Sequence, residues 1–119
     1  MKTSKFLVAS VLALSAFGSA FAAGKTLKAM NDKEMQATSM VAICAVANQR
    51  FSNLMTKNPQ MRADTASTAK SLREILGFFL SDPAEVRGML AYADSQIKDN
   101  DSLAKTMAGC LEFQKNLGK

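Results

Sequence analysis

The chain has 119 residues, of which 48% are hydrophobic, and its 15 basic and 10 acidic side chains give a net charge of +5. It contains no histidine, which excludes Ser-His-Asp and Cys-His nucleophile systems, histidine-ligated zinc or haem, and a histidine switch near neutral pH. The basic residues form no run and do not alternate with aromatic residues, so nucleic acid is not an expected partner.

The N-terminal segment has the three parts of a secretory signal peptide. Lys2 and Lys5 supply positive charge, residues 6–17 form an apolar run, and Ala20-Phe21-Ala22 has the small-x-small pattern of a signal peptidase site. The run is shorter than the about 20 residues that cross a bilayer. We therefore predict cleavage after about Ala22, which lowers the net charge from +5 to +3 by removing two lysines. The mature protein is expected in the bacterial periplasm, or secreted, without a stable membrane anchor.

The remainder, residues 23–119, is predicted to be one helical domain. Apolar residues recur at helical spacing in four segments separated by turn signals, and no segment alternates with a period of two. The short connections favour packing of successive helices against each other. We predict an all-α fold, a small four-helix bundle in up-and-down or partly orthogonal order. The predicted helices cover residues 32–56, 60–80, 83–98 and 102–117.

Capping residues mark the predicted helix starts. Asn31 or Asp32 can cap the first helix, and Asp101 or Ser102 the last. In the third helix, Asp82 is followed by proline and then by Glu85, which predicts a capping box. The predicted buried face of the first helix consists of apolar residues at helical spacing: Met40, Ile43, Cys44, Ala47, Phe51, Leu54 and Met55.

The chain has two cysteines, Cys44 and Cys110, and each lies on the apolar face of its predicted helix. Exported cysteines at matching positions of the first and last helices are expected to form a disulfide. Buried free thiols or an intermolecular bridge are the alternatives. A disulfide requires close approach of the two helices, and the alanines around Cys44 together with Gly109 are expected to permit it.

Metal, cofactor and catalytic sites are not expected. A methionine-rich exported protein could bind copper(I), but Met30, Met35 and Met40 are five residues apart and do not share a helix face. Most methionines fit core positions instead. Asp99 and Asp101 lack the glycine and glutamate that complete a calcium loop. No carboxylate or hydroxyl has a partner suited to acid–base or nucleophilic chemistry, so we predict that the protein is not an enzyme.

Several residues lie away from the predicted core faces and are candidates for a partner-binding surface. Methionine, arginine and aromatic side chains are enriched at protein interfaces. Core packing at corners, and a solvated face for the arginines, are the competing interpretations. The candidates are Phe78, Tyr92, Phe113, Met35, Val46, Arg62 and Arg73.

The functional expectation follows from these exclusions. The leading hypothesis is a small exported protein that acts by binding another protein, as an inhibitor, immunity factor, chaperone or assembly accessory. The alternative is a carrier of a small apolar ligand or soft metal ion within the helical bundle.

Overall fold

A computed structural model describes residues 24–117, with side chains to Lys115, so the predicted signal peptide lies outside the described residues. Within this range the chain is all-helical with four helices, as predicted. No helix among residues 24–117 has the length and apolar character needed to span a membrane. A 3₁₀ turn at Leu27–Ala29 precedes α1 (Asp32–Leu54), α2 (Pro59–Phe79), α3 (Pro83–Gln96) and α4 (Asn100–Leu117).

Helix α1 begins with a capping box. The side chain of Asn31 accepts a hydrogen bond from the backbone N–H of Glu34 at 2.8 Å, and the backbone N–H of Asn31 donates to Glu34 Oε1 at 3.0 Å. In α3, Asp82 accepts from the N–H of Ala84, but the carboxylate of Glu85 binds a different segment, the N–H of Leu27 at 3.1 Å. The capping box predicted for α3 is therefore wrong, because Glu85 makes a tertiary contact.

Helix α4 begins at Asn100, two residues before the predicted start. The side chain of Asp99 accepts a hydrogen bond from the N–H of Ser102 at 2.8 Å, so Asp99 caps the helix rather than Asp101 or Ser102. Hydrogen bonds from the backbone and side chain of Ser102 lower the pKa of Asp99 below its ordinary value.

Helix α1 is the centre of the bundle. Its most extensive contact is with α2, it also packs against α3 and α4, and α2 and α3 meet at only a few residues. The buried residues of α1 therefore cover a wide arc of its surface, and most of them are small or polar. They are Glu34, Ala37, Thr38, Val41, Ala42, Cys44, Ala45, Ala47, Asn48 and Ser52.

The predicted face of α1 is only partly buried. Met40, Ile43 and Phe51 are half-buried, and Leu54 is 49% exposed. Buried polar residues on the same helix are satisfied by backbone carbonyls: Thr38 donates to Glu34 at 2.7 Å, Asn48 to Cys44 at 2.8 Å, and Ser52 to Arg62 of α2 at 2.8 Å. The neighbouring helices thus pack closely against the side of α1 that carries the small and polar side chains.

The other helices contribute larger side chains to the core. Leu72, Leu76 and Phe79 of α2 are almost completely buried. The buried contributions of α3 and its C-terminal end are Ala93 and Ile97, and those of α4 are Leu103, Met107 and Cys110.

A disulfide joins Cys44 of α1 to Cys110 of α4, with the two Cα atoms 5.5 Å apart, which confirms the predicted pairing. Both cysteines are buried. A disulfide of this kind is typical of an oxidising, extracellular compartment. The reason predicted for Gly109 is wrong, because a Cβ atom at this position would meet no atom of a neighbouring helix within 4 Å. The close approach depends on the small residues of α1 rather than on this glycine.

Residues 24–30 form an N-terminal strap across the α2–α3 junction, which the sequence did not predict. The N–H groups of Gly24 and Lys25 donate to the carbonyls of Phe78 and Phe79, and the carbonyl of Lys25 accepts from Ser81. The Lys25 ammonium contacts both carboxylate oxygens of the buried Glu34, at 3.0 and 2.9 Å. The strap thus links the start of α1 to the end of α2.

Replacing both Cys44 and Cys110 with alanine should lower the melting temperature by roughly 15 °C or more. The bridge closes a loop between residues that are 66 positions apart. Restricting the unfolded chain in this way stabilises the fold by about 4 kcal/mol in the chain-entropy description. Thermal unfolding followed by circular dichroism measures the shift. The unchanged protein in a reducing agent should melt near the temperature of the variant. A shift of no more than about 3 °C would show that the bridge contributes little.

Lys25→Gln should lower the free energy of unfolding by about 2 kcal/mol, because it removes a charged ammonium that donates to both oxygens of the buried Glu34 carboxylate. The matched control is Lys105→Gln, since Lys105 forms an ion pair with Asp101 in which both side chains are 80% exposed. This control should have no measurable effect. Urea unfolding of both variants provides the comparison, and equal effects would contradict a stabilising role for the strap.

Candidate functional site

A groove of about 320 Å³ lies where α2 and α3 flank α1. Its apolar residues, Ala45, Val46 and Leu90, belong to the hydrophobic core or pack against it, so they form the base of the groove. The remaining residues are polar and reach the solvent. They are Gln49, Arg50, Asn53, Arg73 and Asp94.

Three polar residues of the groove form a hydrogen-bonded network between α2 and α1. Arg73 Nη1 donates to Gln49 Oε1 at 3.3 Å, and Gln49 Nε2 donates to Asn53 Oδ1 at 3.2 Å. The direction of this Arg73–Gln49–Asn53 network is set by Arg73, because a guanidinium can only donate. Gln49 must therefore present its oxygen to Arg73 and its nitrogen to Asn53, which accepts through its own oxygen.

Arg50 joins α1 to the C-terminal end of α3. Its Nη1 donates to the backbone carbonyls of Asp94, at 3.4 Å, and Ile97. The last carbonyls of a helix have fewer partners than those of its interior and carry partial negative charge, so a guanidinium stabilises them. The same atom lies 3.5 Å from the Asp94 carboxylate, which is 65% exposed. This ion pair contributes little compared with the carbonyl contacts.

The structure brings two of the predicted site residues, Val46 and Arg73, together in the groove. Phe78 and Tyr92 are 56% and 57% exposed, but neither lines the groove. Phe113 packs against the core from α4.

The two remaining candidates, Met35 and Arg62, also lie outside the groove. Met35 is half-buried near the start of α1. Arg62 is exposed in the first turns of α2, where its backbone carbonyl accepts from Ser52. The seven candidates therefore do not form one patch around the groove.

Sequence reasoning missed most of the groove. Gln49, Arg50, Asn53 and Leu90 are absent from the site candidates that the sequence suggests. The available signal was the spacing of the first three: with Val46 they form a strip at intervals of three, one and three residues along α1. That spacing places them on one side of the helix, but it does not show which neighbouring helix they face.

Among residues 24–117, no three histidine, cysteine or acidic side chains lie close enough together to hold a metal ion. The groove instead offers guanidinium and amide groups beside an apolar surface. Such groups suit recognition of polar acceptors rather than metal ligation.

Comparison with known proteins gives no match, since no protein-family model fits the chain and no curated protein or solved structure is significantly similar to it. The functional argument therefore depends on the groove and its chemistry.

Arg50→Gln should lower the free energy of unfolding by about 1–2 kcal/mol, because it removes the guanidinium that donates to the backbone carbonyls of Asp94 and Ile97. Arg87→Gln is the matched control, since Arg87 is an exposed arginine of α3 outside the groove. Chemical unfolding of the two variants tests the difference. If Arg50→Gln proves as stable as Arg87→Gln, the contact with the carbonyls of α3 has no structural role.

Proposed function

We propose that the protein is a small exported, non-enzymatic protein that acts in the periplasm by binding another protein. The observation that carries this proposal is the groove between α1, α2 and α3, where apolar and polar residues meet. The role of an inhibitor, immunity factor, chaperone or assembly accessory is compatible with such binding. Residues 1–22 serve as a cleaved signal peptide in this proposal.

The composition of the groove supports binding of a protein. An apolar base surrounded by polar residues resembles the arrangement of many protein interfaces, and arginine is enriched at their energetically important positions. Arg73 is half-buried and held by Gln49, so part of the entropy cost of ordering this long side chain is already met before a partner binds.

The disulfide supports export. Cysteines persist as disulfides in oxidising compartments and are kept reduced in the cytosol. The cysteines of this protein are buried and paired, as expected for a structural bridge that forms after export. The N-terminal charge, apolar run and small-x-small pattern are consistent with the same route.

A carrier of a small apolar ligand or soft metal ion is the competing function. The groove has a volume of about 320 Å³, at the lower end of the range for small-molecule sites. The lining combines three apolar with five polar residues, and this combination suits a partner that offers apolar surface together with hydrogen-bonding groups.

Photo-crosslinking in living cells tests the proposal. A photoreactive amino acid at Asn53, an exposed groove residue, should yield one adduct of defined mass with a periplasmic protein. Gln36 is the matched control, because it is an exposed polar residue of α1 outside the groove, and a probe there should yield no such adduct. Excess unmodified protein should compete with the adduct.

Two results would contradict the proposal. One is the absence of an adduct at Asn53, or equal labelling from both positions. The other is native mass spectrometry of the purified protein showing a stoichiometric small ligand or metal ion that is displaced when the groove is altered. This second result would support the carrier function.

A further inference from the structure

The Arg73–Gln49–Asn53 network leaves the groove with an excess of hydrogen-bond donors. Within the network, the single oxygen of each side-chain amide, Gln49 Oε1 and Asn53 Oδ1, already accepts a hydrogen bond. No residue of the described part of the chain accepts a hydrogen bond from Asn53 Nδ2, and Arg73 uses only Nη1 in the network. The groups that remain for a ligand are therefore mainly N–H donors, whose complement is an acceptor.

The net charge of the groove also favours an acceptor as the ligand, in particular an anionic one. Arg50 and Arg73 carry two positive charges, and Asp94 carries the only negative charge among the lining residues. Asp94 lies beside Arg50. The lining residues in the half of the groove near Arg73 therefore include no carboxylate. An anionic group entering beside Arg73 would meet a cation and amide donors.

Carboxylate groups of a partner can come from an acidic side chain or from a chain terminus. Sites that capture a terminal carboxylate commonly use backbone N–H groups arranged as a nest. The lining residues of this groove lie in helices beyond their first turns, where the N–H groups are used in helical hydrogen bonds. Only side chains can therefore donate here, and a guanidinium binds a side-chain carboxylate well.

We propose that the groove binds an acidic segment of a partner protein, with an Asp or Glu carboxylate accepting hydrogen bonds from Arg73 and Asn53. An apolar side chain of the same segment packs against Val46 and Leu90. This inference rests on the proposed protein-binding function and names the chemistry of its partner.

A peptide titration followed by NMR tests the acidic preference. The probe is an acetylated, C-terminally amidated pentapeptide with two glutamates flanking a leucine, added to the oxidised, ¹⁵N-labelled protein purified after export. The side-chain amide signals of Gln49 and Asn53 and the Nε signal of Arg73 should shift on binding. The same peptide with glutamines should bind about tenfold more weakly, since it lacks charge-assisted hydrogen bonds.

Two variants on the same helix separate local recognition from net charge. Arg73→Gln should weaken binding of the glutamate peptide about tenfold. Arg62→Gln removes the same charge from α2 at an exposed position outside the groove and should leave the affinity within about twofold, as expected for a screened charge. Thermal unfolding of both variants verifies that they remain folded.

Three results would overturn the inference: equal affinity for the glutamate and glutamine peptides, equal effects of the two arginine variants, or binding only of a glutamine peptide with a free C-terminal carboxylate. The last result would identify a chain terminus as the ligand. An adduct at Asn53 in cells combined with any of these results would leave the protein-binding function in place. Absence of that adduct would instead reject the function itself.

Discussion

Helix α1 has to accommodate three other helices around its circumference, and this constraint shapes the molecule. Close packing on several sides requires small side chains, and α1 supplies Ala37, Ala42, Ala45 and Ala47 at buried positions. Buried polar residues are tolerated because their hydrogen bonds end on nearby carbonyls, as for Thr38 and Asn48. The strip of α1 between α2 and α3 is left partly uncovered, and that strip forms the base and one side of the groove.

Much of the fold could be predicted because its signals are local. In α2, helical spacing places the large apolar residues Leu72, Leu76 and Phe79 on one face of the helix, and all three are buried. The disulfide followed from two cysteines on apolar faces. The buried side of α1 was harder to predict because hydropathy favours large side chains. Hydropathy therefore places Met40 and Ile43 on the buried face, instead of Thr38 and the other small or polar residues that allow closer packing.

The candidate site depends on information that local spacing does not contain. Arg73 and Val46 stood out as residues away from the core faces, and they meet in the groove because α2 packs beside α1. Gln49 and Asn53 are ordinary polar residue types, and their spacing shows only that they share one side of α1. Their role arises from the hydrogen bond that joins Gln49 to a helix 24 residues further along the chain. The contact of Glu85 with the N-terminal strap was missed for the same reason, since its capping position offered a sufficient local explanation.

The position of the disulfide has a consequence for how this protein can change through evolution. The covalent bond lies between α1 and α4, whereas all residues that line the groove come from α1, α2 and α3. The covalent bridge therefore joins α1 to a helix that does not line the groove proposed for recognition. A substitution at an exposed groove residue such as Asn53 leaves the bridge in place, so the proposed recognition surface could change without loss of this covalent constraint.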